Sequence, residues 1–224
     1  MSIPIPWSFT SLEDFKNCPR SFHEKRVLKK FKEVQGEEAA WGERVHKIFD
    51  DRQVSNTPLP PELAQHEPFM KRLEDKPGHF FTEQKIALSK KLIPCTFFSP
   101  VVWMRGVIDY KKIDKQTALI VDYKTGKPHE KWRQLALFAI HTFIMHHDVH
   151  LVNAQFYWTK SETVTKKIWT REEIPSLWTM FIPDLKQYTE AFKTDTWQPR
   201  QSGLCNGWCP VTTCEFWRPK KVKR

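Results

Sequence analysis

Glycine is scarce in this chain, with 7 among 224 residues, and no segment recurs at a fixed period, which excludes collagen-like and repeat architectures. No apolar run approaches the ~20 residues needed to cross a bilayer. The opening Met1-Ser2-Ile3-Pro4-Ile5-Pro6-Trp7 has neither the basic nor the apolar stretch of a secretory leader, so the expectation is a cytoplasmic protein with no membrane partner. Five cysteines do not suit a fully paired disulfide framework, and a reducing compartment leaves thiols free for packing, catalysis or metal. Acidic residues are outnumbered, 26 against 36 Lys+Arg, and the net charge of +10 points to an anionic partner, nucleic acid ahead of a membrane surface. A Gly-x4-Gly-Lys-Ser/Thr loop is also missing, so any energy-driven step requires another protein.

What is present is core-forming material: 40% hydrophobic residues, with 16 Phe and 10 Trp, exclude disorder as the main state. A helix is expected within 7–27, opened by the capping-box spacing Thr10 to Glu13 and interrupted near Cys18-Pro19. Trp41, Val45, Ile48 and Phe49 make one helical face within 37–53, with His46 on its flank, and a proline-rich stretch at 55–61 separates it from a second helix over 61–73. Strand character marks 80–88, 101–113 and 118–124, read as an antiparallel meander. A helix over 130–145 then returns across the sheet to strands at 151–159 and 162–169, and a second capping box, Thr170 to Glu173, opens a last helix to about residue 192. His141, His146, His147 and His150 read as a solvated helix end with no role. The order implies an α/β class with a mixed central sheet flanked by helices.

Chemistry concentrates in two neighbouring strands, Gly106-Val107-Ile108-Asp109 and Val121-Asp122-Tyr123-Lys124. Side chains alternate along a strand, so Asp122 and Lys124 share a face while Tyr123 points away. Charged groups at the end of so apolar a strand need a reason. One reason is mutual pairing. The other is that Asp109 and Asp122 offer the hard oxygen ligands that Mg²⁺ or Mn²⁺ prefers, beside an ammonium able to stabilise charge on a phosphate.

With Gly42-x-x-x-His46, Gly106-x-x-Asp109, Asp122-Tyr123-Lys124-Thr125-Gly126 and Gln134 in this order, the chain resembles the PD-(D/E)XK nuclease superfamily, and within it the RecB-like exonucleases. The resemblance implies a restriction-endonuclease-like core. It implies Asp109, Asp122, His46 and the Tyr123 carbonyl as ligands of Mg²⁺ or Mn²⁺, Lys124 as the catalytic lysine, and Gln134 facing the site. Glu83 matches a recurring strand glutamate of such proteins and is read here, narrowly, as a solvated residue rather than a metal ligand. Phe138 departs from the pattern, standing where the family usually has a tyrosine. Lys127, Lys131 and Arg133 are candidates to hold DNA phosphates, with a solvated helix start the equal alternative.

Cys205, Cys209 and Cys214 crowd a tail rich in turn residues, and a [4Fe-4S] cluster or a structural zinc site needs four thiolates. By the same resemblance Cys18 is the fourth, tying the two ends of the chain together. Cys95 fits no such pattern and reads as a packing residue. The expected organisation is one nuclease domain over 1–224, with a catalytic core at 37–195 and a cysteine-cluster lobe from 1–36 and 196–224. The expected function is metal-dependent exonucleolytic hydrolysis of DNA in repair, recombination or processing, in a bacterium or a phage-infected host. A helicase or recombination protein is the expected partner. The competing reading is a non-catalytic nucleic-acid-binding subunit with structural zinc or iron-sulfur. The terminal Lys220-Lys221-Val222-Lys223-Arg224 run reads as an aid to non-specific DNA affinity.

Overall fold

The polar connection at 114–117 closes as a tight turn: Lys115 adopts a left-handed φ of 49° and Thr117 Oγ1 donates to the Asp114 carbonyl at 3.0 Å. The flanking strands therefore pair antiparallel. The computed structural model describes residues 5–32 and 36–220; the last four residues of the basic terminal run lie outside them. In chain order the helices are α1 (Phe9–Asn17), α2 (Pro19–Phe22), α3 (Glu37–Ser55), α4 (Glu67–Glu74), α5 (Arg133–Met145), α6 (Ile174–Thr179) and α7 (Ile182–Thr194). The strands are β1 (His79–Ser89), β2 (Val102–Asp114), β3 (Thr117–Lys124), β4 (Leu151–Trp158) and β5 (Thr163–Thr170). Among the described residues no helix is long and apolar enough to cross a membrane.

Residues 35–180 form one compact unit. Its sheet runs β1-β2-β3-β4-β5, antiparallel throughout except for the parallel β3–β4 pair. A parallel pair needs a crossover, and α5 supplies it. This is the mixed α/β sheet that the periodicities imply. Tyr110, Val121, Tyr123 and Tyr157 point to one face and join Val45 and Phe49 of α3 with Phe69, Met70 and Leu73 of α4 in a single buried cluster. Helix α5 packs on β1, β3 and β4 and is buried at every position from Leu135 to Phe143, as a helix apolar all round must be.

Two groups in this unit differ from expectation. His141 is 1% exposed and His146 half-buried, because both turn toward the sheet; only His147 and His150 are solvated. Lys111, fully buried on β2, sets its Nζ 2.9 Å from His146 Nε2 and 4.9 Å from the Phe81 ring centroid. Burial pushes the Lys111 ammonium down to about 8 and the two imidazoles to about 3 and about 4, so the histidines stay neutral beside it.

Residues 1–34 with 181–224 form the other unit. Its aromatic core sets Phe15 and Phe22 edge-on to Tyr188 at 5.2 and 5.3 Å, with His23 stacked on Trp197 at 4.4 Å. Tyr188 lies on α7, so that helix groups with the chain ends rather than with the 37–195 core expected from the sequence. The α1 cap also differs: Ser8 caps the helix and exchanges hydrogen bonds with Ser11, at 2.8 and 3.1 Å, in place of Thr10 and Glu13. The Thr170–Glu173 capping box forms as expected, but the helix after it is broken before Pro183, because proline cannot donate the backbone bond a continuous helix would need.

Phe49 touches both partners of the main core, 4.9 Å from the Tyr123 ring and 5.4 Å from His66. Phe49→Ala should lower stability by about 3–5 kcal/mol, read from urea unfolding, since a fully buried ring leaves a cavity its rigid neighbours cannot fill. A loss under about 1 kcal/mol would show that α3 does not depend on this contact.

Candidate active site at the parting of two strands

The β2–β3 ladder runs from Asp114–Thr117 to Tyr110–Val121 and stops there, after which β2 continues beside β1 and β3 beside β4. Asp109 and Asp122 are the next residues on either side of the fork. Backbone groups that the ladder no longer uses must find other partners. The Tyr123 amide donates to Asp109 Oδ2 at 2.7 Å, and the Tyr123 carbonyl accepts from His46 Nε2 at 3.0 Å. His46 thereby turns its Nδ1 to Asp109 Oδ1, 3.4 Å away.

Glu83 completes this group. By register it lies opposite Asp109, between the Thr82–Tyr110 and Gln84–Ile108 pairs, and it alone breaks the ladder there. Its φ is 43°, the left-handed region, inside a strand, whereas Asn56 and Asp195 cap helices and Lys115 sits in a turn. Such a backbone is strained for a residue with a side chain and persists where surroundings enforce it. Ligand atoms of His46, Glu83 and Asp109 all lie within 4.8 Å of one another. Glu83 therefore stands with His46 and Asp109, as the ligand alternative requires, while it remains exposed, as the solvated-residue reading expects. The strand pattern alone could not show this, because the turn of the Glu83 backbone is not visible in alternation.

The second carboxylate is held differently. Asp122 is 1% exposed, accepts from Gln134 Nε2 at 2.7 Å through Oδ1, and pairs through Oδ2 with Lys124 Nζ. Lys124 Nζ also lies 5.5 Å from the Phe156 ring centroid, and its carbonyl accepts from the Thr159 amide at 2.9 Å. Both readings of the Asp-x-Lys pair are thus present at once: the groups do pair, and they do so beside Asp109. Asp122 is not among the three residues whose ligand atoms cluster most tightly.

Electrostatics follow from this crowding. Burial, opposed by Lys124, raises the Asp122 carboxyl to about 6, and Asp109 adds to the rise. Burial and then Asp109 also raise Glu83, with a contribution from Asp50 one turn beyond His46 on α3. Burial works against the charged His46 ring, but its hydrogen bond to Asp109 and the nearby carboxylates outweigh it and raise the group above 6.5. An imidazolium here thus sits among oxygens that would otherwise repel one another. Asp50 was not singled out from the sequence, where it reads as one more charge on a solvated helix face.

The two motif glycines permit close approach. A Cβ on Gly42 would lie 3.3 Å from Thr125 Oγ1, and one on Gly106 would lie 3.3 Å from the Phe138 ring. Phe138, the departure from the family pattern, is buried at 3% exposure and fills the space over Gly106. Lys127 and Lys131 are exposed in the loop after β3, and Arg133 is half-buried at the start of α5.

Four cysteines of the other unit also come together. Cys18, Cys205, Cys209 and Cys214 line one cavity of about 190 Å³, with Trp208, Trp217 and Arg200. Cys18 Sγ accepts from the amides of Ser21 and Arg200, both at 3.4 Å, and Cys205 Sγ from that of Ser202 at 3.5 Å. Cys95 lies apart, in the β1–β2 connection, its amide donating to Ala87 at 3.1 Å.

The donor chemistry at the fork, three carboxylates, an imidazole and a backbone carbonyl, fits a divalent cation that prefers oxygen. No curated protein sequence matches the chain. Among solved structures, one named "Putative exonuclease" from Eubacterium rectale is similar with a TM-score of 0.50 and 12% identity, over 98% of this chain and 89% of that one. Another, named SSO0001, has a TM-score of 0.48 and 11% identity, over 96% and 88%. At such identity the likeness to the first concerns the fold alone. Residues 6–214 match the PD-(D/E)XK nuclease superfamily. Because that match runs from ahead of α1 to the last cysteine, the protein belongs to the PD-(D/E)XK nuclease superfamily.

Proposed function

We propose that the protein is a Mg²⁺- or Mn²⁺-dependent DNA exonuclease of the RecB-like branch, acting on single strands or duplex ends in DNA repair, recombination or processing in the bacterial or phage-infected cytoplasm. The observation that carries this reading is the fork itself, where Asp109, Asp122 and Lys124 meet beside His46 and Glu83. Asp109, Glu83, His46 and the Tyr123 carbonyl would hold the cation, with Asp122 beside them. When bound, a divalent ion supplies Lewis acidity toward the scissile phosphate and makes water a nucleophile at neutral pH.

The chain's own groups do the rest. Lys124 places a positive charge on the face of Asp122, where it can steady negative charge developing on the phosphate. Gln134 fixes the Asp122 carboxylate through its 2.7 Å hydrogen bond, and thereby the partner of Lys124. The Phe156 ring and the Thr159 amide hold Lys124 from behind. Lys127, Lys131 and Arg133 follow the motif directly and would meet flanking phosphates. Unwinding of duplex would fall to a helicase partner.

For the cysteines we propose a structural [4Fe-4S] cluster. The shared cavity and the amide donors aimed at Cys18 and Cys205 support four thiolates. Zinc, at about 2.3 Å from each sulfur, would draw the thiolates to within about 4 Å of one another. A [4Fe-4S] cluster instead takes one thiolate at each iron, and metal content distinguishes the two.

Three outcomes are expected. On end-labelled single- and double-stranded DNA, wild type should degrade substrate with Mg²⁺ or Mn²⁺ but not with EDTA, and Asp122→Asn and Lys124→Ala should each be slower by about a hundredfold or more. Binding without degradation in every metal would favour the non-catalytic subunit instead.

The second concerns pH. The carboxyl of Asp122 and the ring of His46 are both raised, so protonation favours the metal-free fold at low pH; the Asp122 share of that advantage is lost as pH rises from 3.8 through about 6, and the His46 share only above 6.5. Cation binding must displace those protons. Mn²⁺ affinity, read by calorimetry, should therefore be about tenfold or more weaker at about pH 5.5 than at about pH 7.5. Equal affinities would place the ion elsewhere.

The third is compositional. Protein purified without air should contain iron and sulfide in the ratio of a [4Fe-4S] cluster, lost in Cys205→Ser together with thermal stability. Zinc without iron would reverse the assignment.

A further inference from the structure

The hydrolytic groups make no use of the β1–β2 arm that extends beyond them. Past Glu83, β1 continues with Lys85 and Ala87; ahead of Asp109, β2 carries Arg105 and Val107. Lys85 pairs opposite Val107 and Ala87 opposite Arg105, so these four side chains share one face of the arm. Between the strands, Phe97 and Phe98 meet edge-on at 5.1 Å. Both cations converge on them: Lys85 Nζ lies 5.9 and 5.7 Å from the two ring centroids, and Arg105 Cζ lies 5.1 Å from that of Phe97.

Two properties of this arm lack a structural purpose. Phe98 is 78% exposed, with Ile93 at 58% and Val101 at 61% beside it in sequence, which is costly apolar surface to leave in water. Residues 84–108 also carry Lys85, Lys90, Lys91 and Arg105 and no acidic residue, although acids abound elsewhere in the chain. Cations that flank an exposed aromatic face are the elements of a single-strand binding surface, phosphates on the charges and an unpaired base on the ring. The arm also starts at the candidate site: Arg105 is four residues from Asp109, about 13 Å along the strand.

We propose that this arm seats the single-stranded segment of DNA that flanks the scissile bond, with phosphates against Lys85 and Arg105 and a base stacked on Phe98. The proposal takes its substrate from the nuclease reading above and adds a preference for unpaired DNA, since a base within a duplex has no free face for the ring. Phe97 is the support that holds Phe98 and the two cations in place. Lys90 and Lys91, at the end of β1, extend the positive surface away from the site.

The test is binding of the full chain to fluorescein-labelled oligothymidylate in EDTA, followed by anisotropy, with a duplex of equal length as control. Phe98→Ala should weaken single-strand binding by about 5- to 100-fold and change duplex binding by less than about twofold, while Phe98→Trp restores wild-type affinity. Lys85→Gln with Arg105→Gln should reduce the slope of log affinity against log salt by about 1.4, or about 0.7 for each phosphate no longer neutralised. The proposal is overturned if wild type does not bind oligothymidylate, if Phe98→Ala binds it as tightly as wild type, or if single-strand and duplex binding fall together. Cleavage in Mg²⁺ or Mn²⁺ separates the two readings. Degradation by wild type with Phe98→Ala unaffected in binding sinks the arm alone, whereas Phe98-dependent binding with no degradation in either metal sinks the nuclease reading and leaves the arm a binding surface.

Discussion

The early end of the β2–β3 ladder is the constraint on which the rest of the site depends. Were the two strands to pair to their ends, the Tyr123 amide and carbonyl would be spent within the sheet, and Asp109 and Asp122 would face each other in an apolar interior. Because the pairing stops at Tyr110 and Val121, the Tyr123 amide is taken by Asp109 and its carbonyl by His46. A sheet edge is thereby converted into a set of oriented oxygens. Burial first, and neighbouring carboxylates after it, raise Asp122 and Glu83, and a bound cation relieves such crowding of negative charge.

Several elements serve that fork from a distance. The core beneath it, Phe49 against Tyr123, fixes α3 and so the height at which His46 meets the Tyr123 carbonyl. On the opposite face α5 is buried from Leu135 to Phe143, which sets Gln134 at its first turn against Asp122. Gly106 admits the Phe138 ring, and Gly42 admits Thr125 just after Lys124, so each motif glycine marks a place where two elements touch too closely for a side chain. The buried Lys111 lies on β2 two residues beyond Asp109, its neutral histidines lie on α5 and at that helix's end, and nothing in the site draws on them.

The unit built from the chain ends has a different logic. Its aromatic core is small, and its last segment is made largely of turns, so a cavity lined by four thiols stands where secondary structure is thinnest. A cross-link there would hold together segments nearly the whole chain apart in sequence, from Cys18 to Cys214. Cysteine spacing indicated that something had to order this tail, the family resemblance named Cys18 as the fourth thiol, and the fold sets it in the same cavity as the other three.

From the sequence alone came the strands, the order of the helices and the placing of Asp109, Asp122 and Lys124 on neighbouring strands, while the association of His46 and Gln134 with them came from the family resemblance. The former are local: alternation and helical spacing act over a few residues, and the apolar pattern enforces them. What only the tertiary structure decided depends on contacts between distant segments. The break before Pro183 and the Ser8 cap are modest cases, in which several local solutions were open and packing chose among them. Glu83 is the sharper one, because its left-handed turn inside β1, where the ladder to β2 is interrupted, carries no signature in residue type. Phe98 differs again: an aromatic residue in sequence is ordinarily core, and its exposure beside Lys85 is a property of where the β1–β2 connection comes to rest.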